Sequence, residues 1–85
     1  MKMKMVQQLQ CPFSGIVQKI NISINDYIYD WETLFYVRKE DGKIEGFQQS
    51  SGGKVIDFCV NEGDQITKNM IIGSIELDNS PQASD

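Results

Sequence analysis

The sequence predicts an all-β domain, a flattened sandwich or barrel of seven or eight short strands built from two similar halves. Three observations predict it. Apolar residues such as Val17, Ile20, Ile22, Ile24, Ile28, Leu34 and Val37 sit among β-branched and aromatic neighbours, and no helical stripe persists for three turns. Turn-forming pairs punctuate the chain at Ser14-Gly15, Asn25-Asp26, Asp41-Gly42, Gly52-Gly53 and Gly63-Asp64. Finally, the chain resembles itself at an offset of 38 residues, so that Gly15, Val17, Asp26 and Ile28 recur as Gly53, Val55, Asp64 and Ile66.

Taken in order, the elements of each half justify one another. Val6 and Leu9 match Ile44 and Phe47, and after the first glycine Ile20 and Ile22 match Phe58 and Val60. Asn25 stands where Gly63 stands, and asparagine tolerates the left-handed conformation that otherwise calls for glycine. Leu34 and Val37 then match Ile72 and Ile75. Each half reads as a meander unable to bury its apolar face alone, so the two must pack together about a pseudo-two-fold axis. Between them, Asp41-Gly42 predicts an exposed two-residue type I′ hairpin, whose central positions both need positive φ. The domain is expected over residues 1–78, with a disordered tail over 79–85.

Composition narrows the functions. At 85 residues there is room for one compact domain and little room for a large internal cavity. A net charge of −4 repels phosphate backbones, which argues against nucleic acid. No apolar run approaches the roughly 18 residues of a membrane span, and the opening Lys-Met alternation lacks the apolar segment of a signal peptide. A cytoplasmic protein without membrane contact is expected, with Cys11 and Cys59 as reduced, buried or half-buried residues. The absence of histidine removes the commonest general base and metal ligand, so neither an enzyme nor a metal site is expected.

The half-pattern Gly-x-Val-x-x-apolar-x-apolar-x-x-(Gly or Asn)-Asp-x-Ile, found at Gly15 to Ile28 and Gly53 to Ile66, resembles that of biotinyl and lipoyl carrier domains. The resemblance spans about Val6 to Leu77. It implies a barrel-sandwich hybrid of two four-stranded antiparallel sheets with pseudo-two-fold symmetry between the halves. In that family a lysine at the tip of the central hairpin, typically within Met-Lys-Met or Asp-Lys-Ala, carries biotin or lipoate as a swinging arm. Here the family spacing points to Asp41 when counted from one side and to Gly42 from the other, so the hairpin carries an insertion and no lysine at its tip.

Lys39 and Lys43 flank that tip and are expected on the hairpin legs, as solvated charges near Glu40, Asp41 and Glu45. Of the two, Lys43 is the better alternative attachment site. The letters of Met1-Lys2-Met3-Lys4-Met5 imitate the biotin motif but precede the first half-pattern, where a frayed terminus or first strand is expected. Trp31 and Asn69 occupy matching positions at which the family often has glycine. Trp31, with Tyr27, Tyr29, Phe35 and Tyr36, is a candidate docking patch, weighed against Phe35 or Tyr36 covering a core edge. Asp26 and Asp64 are read as turn residues, not as a reactive carboxylate pair.

The expected function is a non-catalytic carrier-like or adaptor domain, unmodified and without cofactor, acting through a protein partner. The alternative is a carrier subunit with biotin or lipoate on Lys43, serving a carboxylase or 2-oxoacid dehydrogenase. A third class is a piece of a larger assembly, since similar domains occur within membrane-fusion and transport proteins.

Overall fold

The computed structural model describes residues 5–77, so the tail expected over 79–85 and the first four residues lie outside the described residues. The eight strands are β1 (Val6–Gln10), β2 (Gly15–Ile20), β3 (Tyr27–Ile28), β4 (Thr33–Arg38), β5 (Ile44–Gln48), β6 (Gly53–Phe58), β7 (Gln65–Ile66) and β8 (Ile71–Leu77). They form two four-stranded antiparallel sheets, β1-β8-β6-β3 and β5-β4-β2-β7. Shifting every strand of the first sheet by half the domain produces the second, so the duplication read in the sequence is a duplication of topology.

The halves do not meet as two separate meanders. Each sheet takes two strands from each half, and the cross-pairs β1·β8 and β4·β5 are equivalent. The cause lies in the turns. The N–H of Val17 donates to the carbonyl of Asp64 at 2.9 Å, and that of Val55 donates to Asp26 at 2.8 Å. Each turn is thereby stitched to the opposite half, with its aspartate carboxylate accepting from Ser23 N–H at 2.8 Å or from Asn61 N–H at 2.9 Å. Asp26 and Asp64 are structural, as their turn positions predict.

Register repeats as closely as order. Val17 faces Val37 and Val55 faces Ile75, and in both strands the next residue bulges, at Gln18 and Ile56. Gly15 and Gly53 are required by crowding, because a Cβ on them would strike the carbonyl oxygens of Arg38 and Glu76, respectively. Inward-facing residues meet in one core of Leu9, Cys11, Val17, Ile22, Ile28, Leu34, Phe35, Val37, Phe47, Val55, Val60, Ile66, Ile72 and Ile75. They alternate along β2 and β6 but not along β4, where the register irregularity between Thr33 and Phe35 turns the neighbours Leu34 and Phe35 both inward.

Some equivalent apolar positions lie outside that core. Val6 and Ile44 are 57% and 54% exposed because they belong to the outward-facing set of edge strands, opposite Glu76 and Arg38. Ile24 is half exposed in the turn before β3. Cys11 is buried, but Cys59 is exposed, its thiol donating to the carbonyl of Ile72 at 3.3 Å, and both are free. Cys59 follows β6 where the inward alternation has ended, which corrects the expectation of two buried or half-buried cysteines.

Candidate functional site

Register defines two opposite ends. Arg38 pairs with both Ile16 and Ile44, placing the β4–β5 hairpin beside the start of β2 and its neighbour β7. Glu76 pairs with both Lys54 and Val6, placing the end of β8 beside the starts of β6 and β1, with β3 alongside.

At the hairpin end the turn spans residues 39–43. The N–H of Lys39 donates to the carbonyl of Lys43 and the N–H of Gly42 donates to that of Lys39, each at 2.9 Å. Gly42 has φ +86°, whereas Asp41 is not among the residues with positive φ. The loop is therefore the three-residue form, a β-turn through Glu40 and Asp41 followed by a left-handed glycine, and not the two-residue type I′ turn. Asp41 stabilises it by accepting the N–H of Lys43 on Oδ1 at 2.9 Å.

The two flanking lysines differ in environment. Lys39 Nζ lies 2.8 Å from Glu45 and 6.0 Å from the centre of the Phe13 ring. The hydrogen bond and charge of Glu45 hold its pKa above the ordinary value. Lys43 is exposed and has no ion pair among the described residues. Both flank the three-residue loop, and their backbone pair closes it where the hairpin legs end. Beside them a shallow groove of about 310 Å³ is bordered by Ser14, Gly15, Arg38, Lys39, Gly42 and Gln65.

An amide-linked prosthetic group needs an amine at the apex. Asp41 offers a carboxylate and Gly42 no side chain, so the apex does not fit biotin or lipoate; Lys43 offers the nearest exposed amine. Among the described residues, no group of three or more His, Cys, Asp or Glu side chains could hold a metal ion. No helix of the described residues is long and apolar enough to cross a membrane.

The opposite end carries the aromatic residues. Tyr27, Tyr29 and Trp31 are 48%, 71% and 64% exposed, and the two tyrosine rings meet edge-on at 5.4 Å. Trp31 has φ +63°, and its N–H donates to the carbonyl of Gln49 at 2.7 Å. Phe35 does not belong to this patch. It is fully buried against Phe47 and Phe58, at centroid distances of 5.2 and 6.0 Å. Tyr36 lies with its ring edge over Gly46, where an added Cβ would approach it to 3.3 Å. The packing account therefore holds for Phe35, whereas Tyr36 is exposed on the outward face of β4, and the exposed aromatic residues of this end are Tyr27, Tyr29 and Trp31. The sequence alone does not single out Phe13 or Gln49. Phe13 lies outside the repeat correspondence, and the contacts of both depend on distant segments brought together by the sheets.

No family model and no curated protein matches the chain. Among solved structures, the chain is similar to the urea carboxylase of Kluyveromyces lactis, with a TM-score of 0.74 and 14% sequence identity. The match covers 84% of this chain and 6% of that one, so the whole domain corresponds to a small segment of a much longer protein.

Proposed function

We propose that the chain is a non-catalytic carrier-type or adaptor module of the biotinyl/lipoyl kind that works unmodified, through contacts with a protein partner in the cytoplasm. The observation that carries this reading is the apex itself, where Asp41 and Gly42 stand in a well-bonded turn and no amine is presented. The likeness to a small segment of a carboxylase supports the fold on which the reading rests, and fold alone leaves function to the site. The acidic net charge favours a protein partner over nucleic acid or an anionic membrane surface.

A second reading is favoured by one observation, the exposed Lys43 beside the apex, which has no ion pair among the described residues. In it, biotin or lipoate is joined to Lys43 and the chain is the carrier subunit of a carboxylase or 2-oxoacid dehydrogenase. Intact-mass measurement on protein from the native host separates the two. The unmodified mass is expected; a gain matching biotin or lipoate that disappears in Lys43→Ala establishes the second reading.

A further inference from the structure

The pseudo-two-fold axis supplies an internal control for every surface residue, because each position on one end has a counterpart on the other built on the same backbone. Tyr27, Tyr29 and Trp31 correspond to Gln65, Thr67 and Asn69. Trp31 and Asn69 have nearly the same φ, +63° and +69°, and equivalent backbone bonds, to Gln49 at 2.7 Å and to Cys11 at 2.8 Å. Asparagine adopts this left-handed conformation readily, whereas a bulky residue there is strained. Trp31 thus occupies an unfavourable backbone position while leaving nearly two thirds of its surface in water. Neither packing nor the turn explains an indole at that site, and strain retained at an exposed residue points to a role outside folding.

Among the described residues, charge differs between the ends in the same way. Asp30, Glu32 and Glu76 at the aromatic end correspond to Lys68, Met70 and Arg38 at the hairpin end, while Asp26 and Asp64 are common to both. Lys54 is the basic residue paired beside Tyr27, on the outward row that also includes Glu76. The carboxylates are held in place: Asp30 accepts the N–H of Gly52 at 2.6 Å and Glu32 accepts that of Tyr29 at 2.9 Å. The β5–β6 loop beside them holds a buried polar atom without a hydrogen-bond partner among the described residues, Gln49 Nε2, in the residue whose carbonyl receives the Trp31 N–H.

We infer that the Tyr27–Tyr29–Trp31 face is a docking site for a basic segment of a partner protein, whose arginine or lysine side chains lie on the aromatic rings and face Asp30 and Glu32. Aromatic faces attract guanidinium and ammonium groups, and desolvation by the partner strengthens that attraction. A second copy of this chain is a poorer occupant. Its hairpin end intersperses Arg38, Lys39, Lys43 and Lys68 with Glu40, Asp41, Glu45 and Asp64, and presents no excess of positive charge. The inference rests on the reading of the chain as a module acting through protein contacts, and it gives that reading a surface.

The test uses the full chain against an array of random twelve-residue peptides, followed by titration of the best-retained peptide in solution. The titration is read by calorimetry, which serves the parent and every variant, and in the parent also by fluorescence, since Trp31 is the single tryptophan. Retained peptides are expected to be enriched in arginine and lysine, to shift Trp31 emission to the blue, and to weaken with added salt. Trp31→Asn and Tyr29→Thr, which install the residues of the opposite end, are expected to keep the fold and weaken binding by at least about tenfold, whereas Lys43→Ala leaves it unchanged. Absence of basic enrichment, or binding unaltered in a folded Trp31→Asn variant, overturns the inference. So does self-association in light scattering that Trp31→Asn abolishes, since the face would then be occupied by a second copy. The intact mass from the native host is independent of all these outcomes: an adduct on Lys43 removes the unmodified reading and leaves the docking face to be judged by its own binding data.

Discussion

Trp31 donates its backbone N–H to the carbonyl of Gln49 at 2.7 Å, and this bond holds an exposed indole in the left-handed region. Replacing it with the residue found at the equivalent position should relieve strain without loss of core packing. Trp31→Asn is expected to raise stability by about 1 kcal/mol, seen as a higher urea midpoint with unchanged slope. Trp31→Ala, which keeps a Cβ-bearing residue without asparagine's tolerance of the conformation, should gain less.

Crowding at the paired glycines gives a test of the symmetry. Gly15→Ala and Gly53→Ala each drive a Cβ into a carbonyl oxygen of the neighbouring strand, at Arg38 and Glu76, and should destabilise by similar amounts, on the order of 2 kcal/mol or more. Gly42→Ala meets nothing within 4 Å, so only its φ of +86° opposes the change. Its cost should be about 1 kcal/mol. Thermal melts of the three variants would check the ranking, and a Gly42→Ala loss as large as the other two would contradict it.

Phe35 and Tyr36 are adjacent in sequence and opposite in consequence. Phe35 is buried between Phe47 and Phe58, so Phe35→Ala should cost about 3–5 kcal/mol, a large share of the stability of a small domain. Tyr36→Ala, uncovering Gly46 on the outer face of β4, should cost about 1 kcal/mol. Circular dichroism during denaturation would measure both.

The two thiols should react at different rates. Cys11 is buried, and desolvation raises its pKa, with the Glu45 charge acting in the same direction against a hydrogen bond from the Phe13 backbone. Alkylation of the native protein at neutral pH is expected at Cys59 first, with Cys11 labelled only after unfolding. Peptide mapping of a brief iodoacetamide pulse would show it; equal labelling under native conditions would argue against the burial of Cys11.

The Lys39–Glu45 pair has a defined alkaline limit. Glu45 holds the Lys39 pKa above its ordinary 10.5, so the contribution of the pair is complete below that value and is lost as pH rises through the raised one. The melting temperature of Glu45→Gln should therefore lie slightly below that of the parent at neutral pH and converge with it at alkaline pH beyond 10.5. High salt should shrink the neutral difference, because both side chains are solvated.

Much of the architecture is legible in the sequence because glycine, the turn aspartate and the inward residues must recur wherever the backbone recurs. Gly15 and Gly53, or Val17 and Val55, mark equivalent strands before any pairing is known. Pairing itself is not local information. That β1 joins β8, and that Val6 and Ile44 face outward, follows from which edge each turn delivers its strand to. The hairpin was readable as a turn at Asp41-Gly42, but not as its wider form, because Asp-Gly satisfies both loop geometries and the choice rests with the Lys39–Lys43 backbone pair. For the aromatic cluster, composition identifies the residues, and only burial separates Phe35 from Trp31.

The exchange of strands between the halves has a consequence for the loop that joins them. A polypeptide holding one half alone could complete both sheets only by finding a complementary molecule. The segment at residues 39–43 acts as a tether, converting what would be a bimolecular encounter into an internal one at an effective concentration on the order of millimolar. Its first duty is to keep complementary fragments together, whatever chemistry its tip does or does not carry.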